Sequence, residues 1–206
     1  MPTRLILVRH GETDGNVEGR TQGRRDVPLN ARGRRQAAAL AERLRGRPLV
    51  AVVSSPSTRC LATAEAIAAP HALAVTTDAR LAEIDQGVFE GLTGEEMRRA
   101  DPAFMARWRA EDPTDLRIPG GESMGEVQRR MVAACEAIAA AWPEGVVAVV
   151  SHNLATRAFL CAALDVPLAA FRRIRHELAS FAEVERLEGG GWLVTRLNER
   201  CHLPGE

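Results

Sequence analysis

The sequence predicts an α/β fold: a three-layer sandwich with a mostly parallel central sheet, helices on both faces, a small helical and loop insertion, and a C-terminal edge hairpin. Three observations predict it. Nearly continuous apolar runs rich in β-branched residues occur at Leu5–Val8, Leu49–Val53 and Val146–Val150, the pattern of strands buried on both faces. Between and after them, apolar residues recur at helical spacing. The chain has 206 residues of which 46% are apolar, enough for a sizeable core, and it is expected to form a single domain over residues 1–206.

The elements follow in order. After the first run, Ala37, Leu40, Ala41 and Leu44 form one helical stripe; after the second, Cys60, Ala64, Ile67 and Ala68 form another. Residues 84–122 carry short helical pieces opened by Thr93-x-x-Glu96 and Asp101-Pro102, and read as a cap-like insertion over one end of the sheet. A longer helix opens at the capping box Ser123-x-x-Glu126, places Val127, Met131, Cys135, Ile138 and Trp142 on one face, and ends at Pro143 and Gly145. After the third run, Ala155, Ala158, Phe159 and Ala162 repeat the stripe. Finally, Ala182 and Val184 alternate with Glu183 and Glu185, and Gly189–Gly191 turns the chain into Trp192–Leu197, a hairpin at the sheet edge.

Composition excludes several classes of chemistry. The 27 basic residues balance the 27 acidic ones, so no net positive field for nucleic acid exists. Every basic residue is Arg; with no Lys, lysine-dependent phosphate loops and Schiff-base chemistry are excluded. The four cysteines are scattered and the five histidines lack metal-ligand spacing, so neither a metal nor a cofactor is expected. No run reaches the length of a signal or membrane segment, which predicts a cytoplasmic protein without a membrane partner.

Each apolar run leads directly into polar residues: Arg9-His10-Gly11-Glu12-Thr13, then Ser54-Ser55-Pro56 with Arg59 in the next turn, then Ser151-His152-Asn153. Ligands of open α/β sheets bind beyond the carboxyl ends of the strands, so these clusters are expected to converge at helix N-termini. Two Arg forks and two imidazoles there describe a phosphate site. Taken singly, each residue has a plainer reading, since a lone His after a strand is often structural and an Arg at a helix start is often solvated.

The segment Leu7–Thr13 with Asn16 and Arg20–Gly23 resembles the opening signature of the histidine phosphatase, or phosphoglycerate mutase-like, superfamily. Ser54-Ser55-Pro56-x-x-Arg59 with Thr63-Ala64, Leu81-x-Glu83 with Gly87 and Glu90–Thr93, Pro119–Ser123 and Val150-Ser151-His152 resemble its later motifs in order. The resemblance runs from residue 5 to about residue 180. It implies that His10 is a nucleophile forming a phosphohistidine, that Arg9, Arg59 and His152 contact the phosphoryl oxygens, and that Asn16, Gln22 and Gly23 line the same pocket. It also implies that Glu83 is the general acid and base, with Asp85 second; Glu12, Asp14 and Glu90 are the other carboxylates near the motifs. Asn153 stands where relatives often have Gly and adds a candidate contact, and Leu178 precedes Ser180 where relatives often have Asn.

The implied activity is hydrolysis of a small phosphate ester; phosphoglycerate mutase-type transfer and non-catalytic phospho-ligand binding are the alternatives. Gln22-Gly23, Pro28-Leu29 and Gly87–Thr93 resemble phosphatases more than mutases. Phe89, Met105, Trp108 and Arg107 are candidates for the leaving-group pocket, although cap-core packing for the apolar three and a solvated face for Arg107 are the plainer readings of each. Arg172, Arg173, Arg175 and His176 form a basic cluster that could touch an acidic substrate but is more simply a solvated face. A homodimer through the edge hairpin is possible.

Overall fold

A computed structural model describes residues 2–203. Its sheet has six strands in the order β3-β2-β4-β1-β5-β6. These strands are β1 (Arg4–Arg9), β2 (Leu49–Ser54), β3 (Val75–Thr77), β4 (Val146–Ser151), β5 (Phe181–Arg186) and β6 (Trp192–Glu199). The first four in spatial order are mutually parallel, while β5 runs antiparallel to β1 and β6 antiparallel to β5. The fold is therefore α/β with a mixed sheet, and the hairpin forms one edge as expected. The opposite edge, β3, has no apolar run to announce it: two of its three residues are exposed.

Side chains of the central strands alternate between two apolar layers. Leu5, Leu7, Val147 and Val149 face helices α6 (Met124–Ala141) and α7 (Asn153–Ala163); Ile6, Val8, Ala148 and Val150 face α2 (Ala31–Leu44) and α3 (Thr58–Ala68). Burial on both sides explains why these runs show no polar alternation. The stripes of α2 and α3 are buried as read. In α7 the stripe continues to Ala163 rather than Ala162, which is exposed because the helix turns it to solvent. Trp142 is only half-buried and stands just past the last turn of α6.

The capping signals hold. Ser123 and Glu126 close a reciprocal box on α6, and Thr93 and Glu96 do so on α4 (Gly94–Ala100). Asp101 accepts from the Phe104 amide and Pro102 opens α5 (Pro102–Ala110). Residues 84–122 do not form an isolated flap: Ile84, Phe89, Phe104, Leu116 and Ile118 join the apolar layer beneath α6 and α7. Thr21 stitches this segment to the loop after β1, donating its amide to Leu92 O at 2.9 Å and accepting Gly91 N–H at 3.1 Å. That seam places the insertion beside the carboxyl ends of the strands.

Candidate active site

The carboxyl end of β1 delivers Arg9 and His10. His10 is 4% exposed, and its Nδ1 lies 2.7 Å from Gly11 O. A carbonyl can only accept, so Nδ1 carries the hydrogen and the Nε2 lone pair is free. Burial, followed by the Arg59 and Arg9 charges, holds the imidazole pKa well below its ordinary value and keeps the ring neutral. The local backbone allows this close turn because Gly11 abuts Gly33: a Cβ on either would drive into backbone of the other segment.

Arg59 enters from the first turn of α3 and is 1% exposed. It donates from Nη1 to Arg25 O at 2.8 Å and from Nη2 to Gly23 O at 3.0 Å. Arg9 donates from Nη1 to His176 O at 2.9 Å. The Nε of each guanidinium is buried without a partner, and neither has a carboxylate within salt-bridge distance among the described residues. Burial, only partly offset by Glu83, lowers the Arg9 pKa to about 10, with Arg157 adding repulsion. Two half-satisfied cations at one point favour an anion between them.

His152, the N-cap residue of α7, is 1% exposed. Arg59 Nη2 lies 3.2 Å from its Nδ1, which must accept; its Nε2 then carries the hydrogen and donates to Ser55 Oγ at 2.8 Å. Burial, Arg59 and the neighbouring His10 ring depress its pKa strongly, and the two rings meet edge to face with centroids 5.3 Å apart. Its ring thus steers Arg59, while the direct phosphoryl contact expected of it requires Nε2 to exchange Ser55 for the ligand.

Glu83 is held by three backbone amides. Oε1 accepts from Ile84 N and Ala155 N, both at 3.0 Å, and Oε2 accepts from Leu154 N at 3.1 Å. Two of these donors are free N–H groups in the first turn of α7, where a carboxylate is favoured. Arg130 secures the segment by bonding Ala82 O and Glu83 O, and Ser151 Oγ bonds Leu81 O. Asp85, the other candidate acid, instead caps Gly87 N at 2.9 Å and does not line the cavity.

Two amides complete the anion surface. The Thr13 hydroxyl lies 2.9 Å from both Asn16 Oδ1 and Gln22 Oε1. Turning both oxygens toward Thr13 leaves Asn16 Nδ2 and Gln22 Nε2, which are donors, for the cavity. Gly23 adopts φ +43°, and a side chain there would collide with Glu90. Glu90 ties that turn to the insertion, accepting from Arg24 N and Gln86 N. Glu12 accepts from Asn30 Nδ2 at 3.0 Å and orders its loop, whereas Asp14, which opens the short helix α1 (Asp14–Val17), is exposed.

All the sequence-predicted residues, Arg9, His10, Asn16, Gln22, Gly23, Arg59, Glu83, His152 and Asn153, line one cavity of about 200 Å³. Arg20, Thr21, Gln86 and Leu154 line it too and were not anticipated; Gln86 and Leu154 carry no sequence signal of their own. Thr21, Gln86 and Leu154 are shared with an apolar hollow of about 180 Å³ lined by Phe89, Met105 and Trp108. Arg107 does not reach it. That side chain pairs with Glu111 on the exposed face of α5, since the buried face belongs to Phe104 and Trp108. His176 is likewise no solvated cation: it is 2% exposed, and burial, then Arg9 and Arg157, lower its pKa to about 3.

Residues 5–200 match the histidine phosphatase superfamily, branch 1. The chain belongs to that family. It is 36% identical over 200 residues to phosphoserine phosphatase 1 of Hydrogenobacter thermophilus, covering 97% of this chain and 94% of that protein. It is also 36% identical over 206 residues to a probable phosphoglycerate mutase GpmB of Proteus mirabilis, with the same coverage. The structure of YhfR from Bacillus stearothermophilus superposes with a TM-score of 0.90 at 33% identity, covering 97% of this chain and 98% of that one. The family supports a phosphatase or phosphoglycerate mutase-like enzyme.

Proposed function

We propose that the protein is a phosphomonoester hydrolase that acts through a covalent phosphohistidine on His10, without a metal ion, on a small phosphorylated metabolite. On this reading residues 1–206 form one catalytic domain, with 84–122 as its cap. The observation that carries the reading is the Nδ1 bond from His10 to Gly11 O, which leaves a neutral, buried Nε2 lone pair beside two under-neutralised guanidiniums. Nε2 attacks phosphorus, and the bond to the ester oxygen breaks as Glu83 delivers a proton to that oxygen. Arg9 and Arg59, with the Asn16 and Gln22 amide groups, hold the three remaining oxygens throughout. Glu83, now ionised, takes a proton from water; the hydroxide formed attacks phosphorus, and the N–P bond breaks to return neutral His10 and inorganic phosphate. The organic part of the ester lies toward the hollow lined by Phe89, Met105 and Trp108.

The relatives named as mutases share the same identity level, so water against a second hydroxyl as acceptor is the point to test. Wild-type protein is given a panel of phosphate esters with chelator present, and phosphate release is read beside phosphoglycerate isomerisation. Release with an alkali-stable, acid-labile phosphoprotein is the expected result, and His10→Ala is expected to lose both, with turnover falling roughly 10⁴-fold or more. Isomerisation faster than release assigns a mutase; binding without turnover assigns a phospho-ligand carrier; and a requirement for added metal overturns the covalent scheme.

A further inference from the structure

A second opening of about 350 Å³ adjoins the catalytic cavity and shares Arg9 and Asn153 with it. Its walls carry Arg157 from α7 and Arg172, Arg173 and Arg175 from the segment that follows. Its one acid, Glu177, is engaged elsewhere: Oε2 lies 2.5 Å from Arg200 Nη1 and 3.4 Å from Asn198 Nδ2, while Arg175 Nη1 stands 3.9 Å from Oε1. Arg9, Arg157, Arg172 and Arg173 have no carboxylate within salt-bridge distance among the described residues.

Arg157 and Arg172 are held in place by neutral groups. Arg157 donates from Nε to Phe171 O at 2.8 Å and from Nη2 to the same carbonyl, with its guanidinium 5.1 Å from the Phe171 ring centroid. Arg172 sits 4.7 Å from that centroid and donates to Trp108 O. Phe171 in turn meets Trp108, which lines the apolar hollow beneath the insertion, with ring centroids 6.4 Å apart. Carbonyls and a ring orient guanidiniums without neutralising them, which leaves the charge for a ligand. Burial lowers the Arg157 pKa; Glu83 offsets part of that, and Arg172 adds like-charge repulsion.

We propose that this opening takes a second anionic group, a carboxylate or a further phosphate, carried on the organic part of the phosphate ester whose phosphoryl group lies between Arg9 and Arg59. The proposal rests on the phosphatase reading for the first anion. Asn153 and Arg9 line both cavities, so a ligand with one anionic end in each would pass beside them. The substrate class is therefore a doubly anionic metabolite with a carbon chain long enough to turn past Asn153.

The test uses wild-type protein and three phosphonates that differ only at the far end: 4-hydroxybutylphosphonate, 4-phosphonobutanoate and butane-1,4-diyl bisphosphonate. Calorimetry is expected to show at least one of the two doubly anionic probes binding about tenfold more tightly than the hydroxyl probe, the worth of one charge-assisted bond set. The tighter of the two identifies carboxylate or phosphate. The advantage is expected to vanish in Arg173→Gln/Arg175→Gln, whose exposed side chains support no backbone, and to survive in Arg98→Gln/Arg99→Gln, which removes the same net charge from α4. Equal binding of all three probes, or an advantage that survives the first double variant or is lost equally in the second, overturns the proposal. Because phosphonates are not turned over, these results stand whether or not the corresponding esters are hydrolysed, and absence of hydrolysis would count against the catalytic reading alone.

Discussion

The two ends of the sheet treat charge in opposite ways. At the amino ends of the parallel strands lies a cleft of about 610 Å³, larger than the proposed catalytic cavity, and its charges neutralise one another. Arg4 lies 2.8 Å from Glu185, and Glu183 receives Arg47 at 2.7 Å and Arg196 at 3.5 Å. At the carboxyl ends the cavity is about 200 Å³, yet Arg9 and Arg59 end on carbonyls and an imidazole, each with a buried Nε left over. A hollow whose ions are already paired offers an anion nothing, whereas a smaller one with idle donors does. Volume is the poorer guide to the site.

Perturbing each end sharpens the contrast. Glu83→Gln is expected to slow hydrolysis of alkyl phosphates roughly 10²- to 10⁴-fold and aryl phosphates with good leaving groups far less, read as the slope of log kcat/KM against leaving-group pKa. An equal loss for every leaving group would assign the proton to another residue. Arg59→Lys is expected to cost roughly 10²-fold in kcat/KM, because an ammonium cannot serve the Gly23 and Arg25 carbonyls and a phosphoryl oxygen together.

Acid separates the two ends through His10, His152 and His176, all buried and all with pKa values depressed below the unfolded value of about 6.5. Below that pH the unfolded chain binds protons that the folded one refuses, so stability is complete above it and declines as pH falls toward about 3, where His176 titrates in the fold. His176→Gln is expected to flatten that decline in urea midpoints measured from pH 7 to pH 4, and an unchanged slope would show that His176 contributes none of it. The smallest effect on catalysis belongs to the far end. Glu183→Gln, which unpairs Arg47 and Arg196, is expected to lower stability by about 1–3 kcal/mol and leave kcat/KM unaltered.

Local rules made much of this structure legible. The apolar runs became the central strands because burial on two faces demands them, and each capping box formed because its two partners stand three residues apart in the chain. Of the candidate site residues, Arg9, His10, His152 and Asn153 stand at the ends of those strands and Arg59 in the first turn after one, and they line one cavity. What lay beyond reach was partnership across the fold. Nothing near Glu83 announces that α7 will offer it two amides, nor anything near Asp85 that it will cap its own turn. Ser55 and Thr13, which orient His152 and the two amides, sit inside recognisable motifs, but their partners lie 97 and 3–9 positions away. β3 carries no sequence signal because a three-residue edge strand needs no apolar run, and Arg107 takes the plainer of its two readings, a solvated face, because its charge partner is one helical turn away.

A carboxylate has about four lone-pair positions, and around Glu83 three already accept amide hydrogens, two of them on Oε1. The one vacant position is on Oε2. On the mechanism proposed above, a proton borne by this side chain has a fixed address, and both the departing alcohol and the incoming water would approach from that single quarter. The direction of proton transfer would then be set by three peptide N–H bonds, none of which belongs to a residue whose side chain takes part in it.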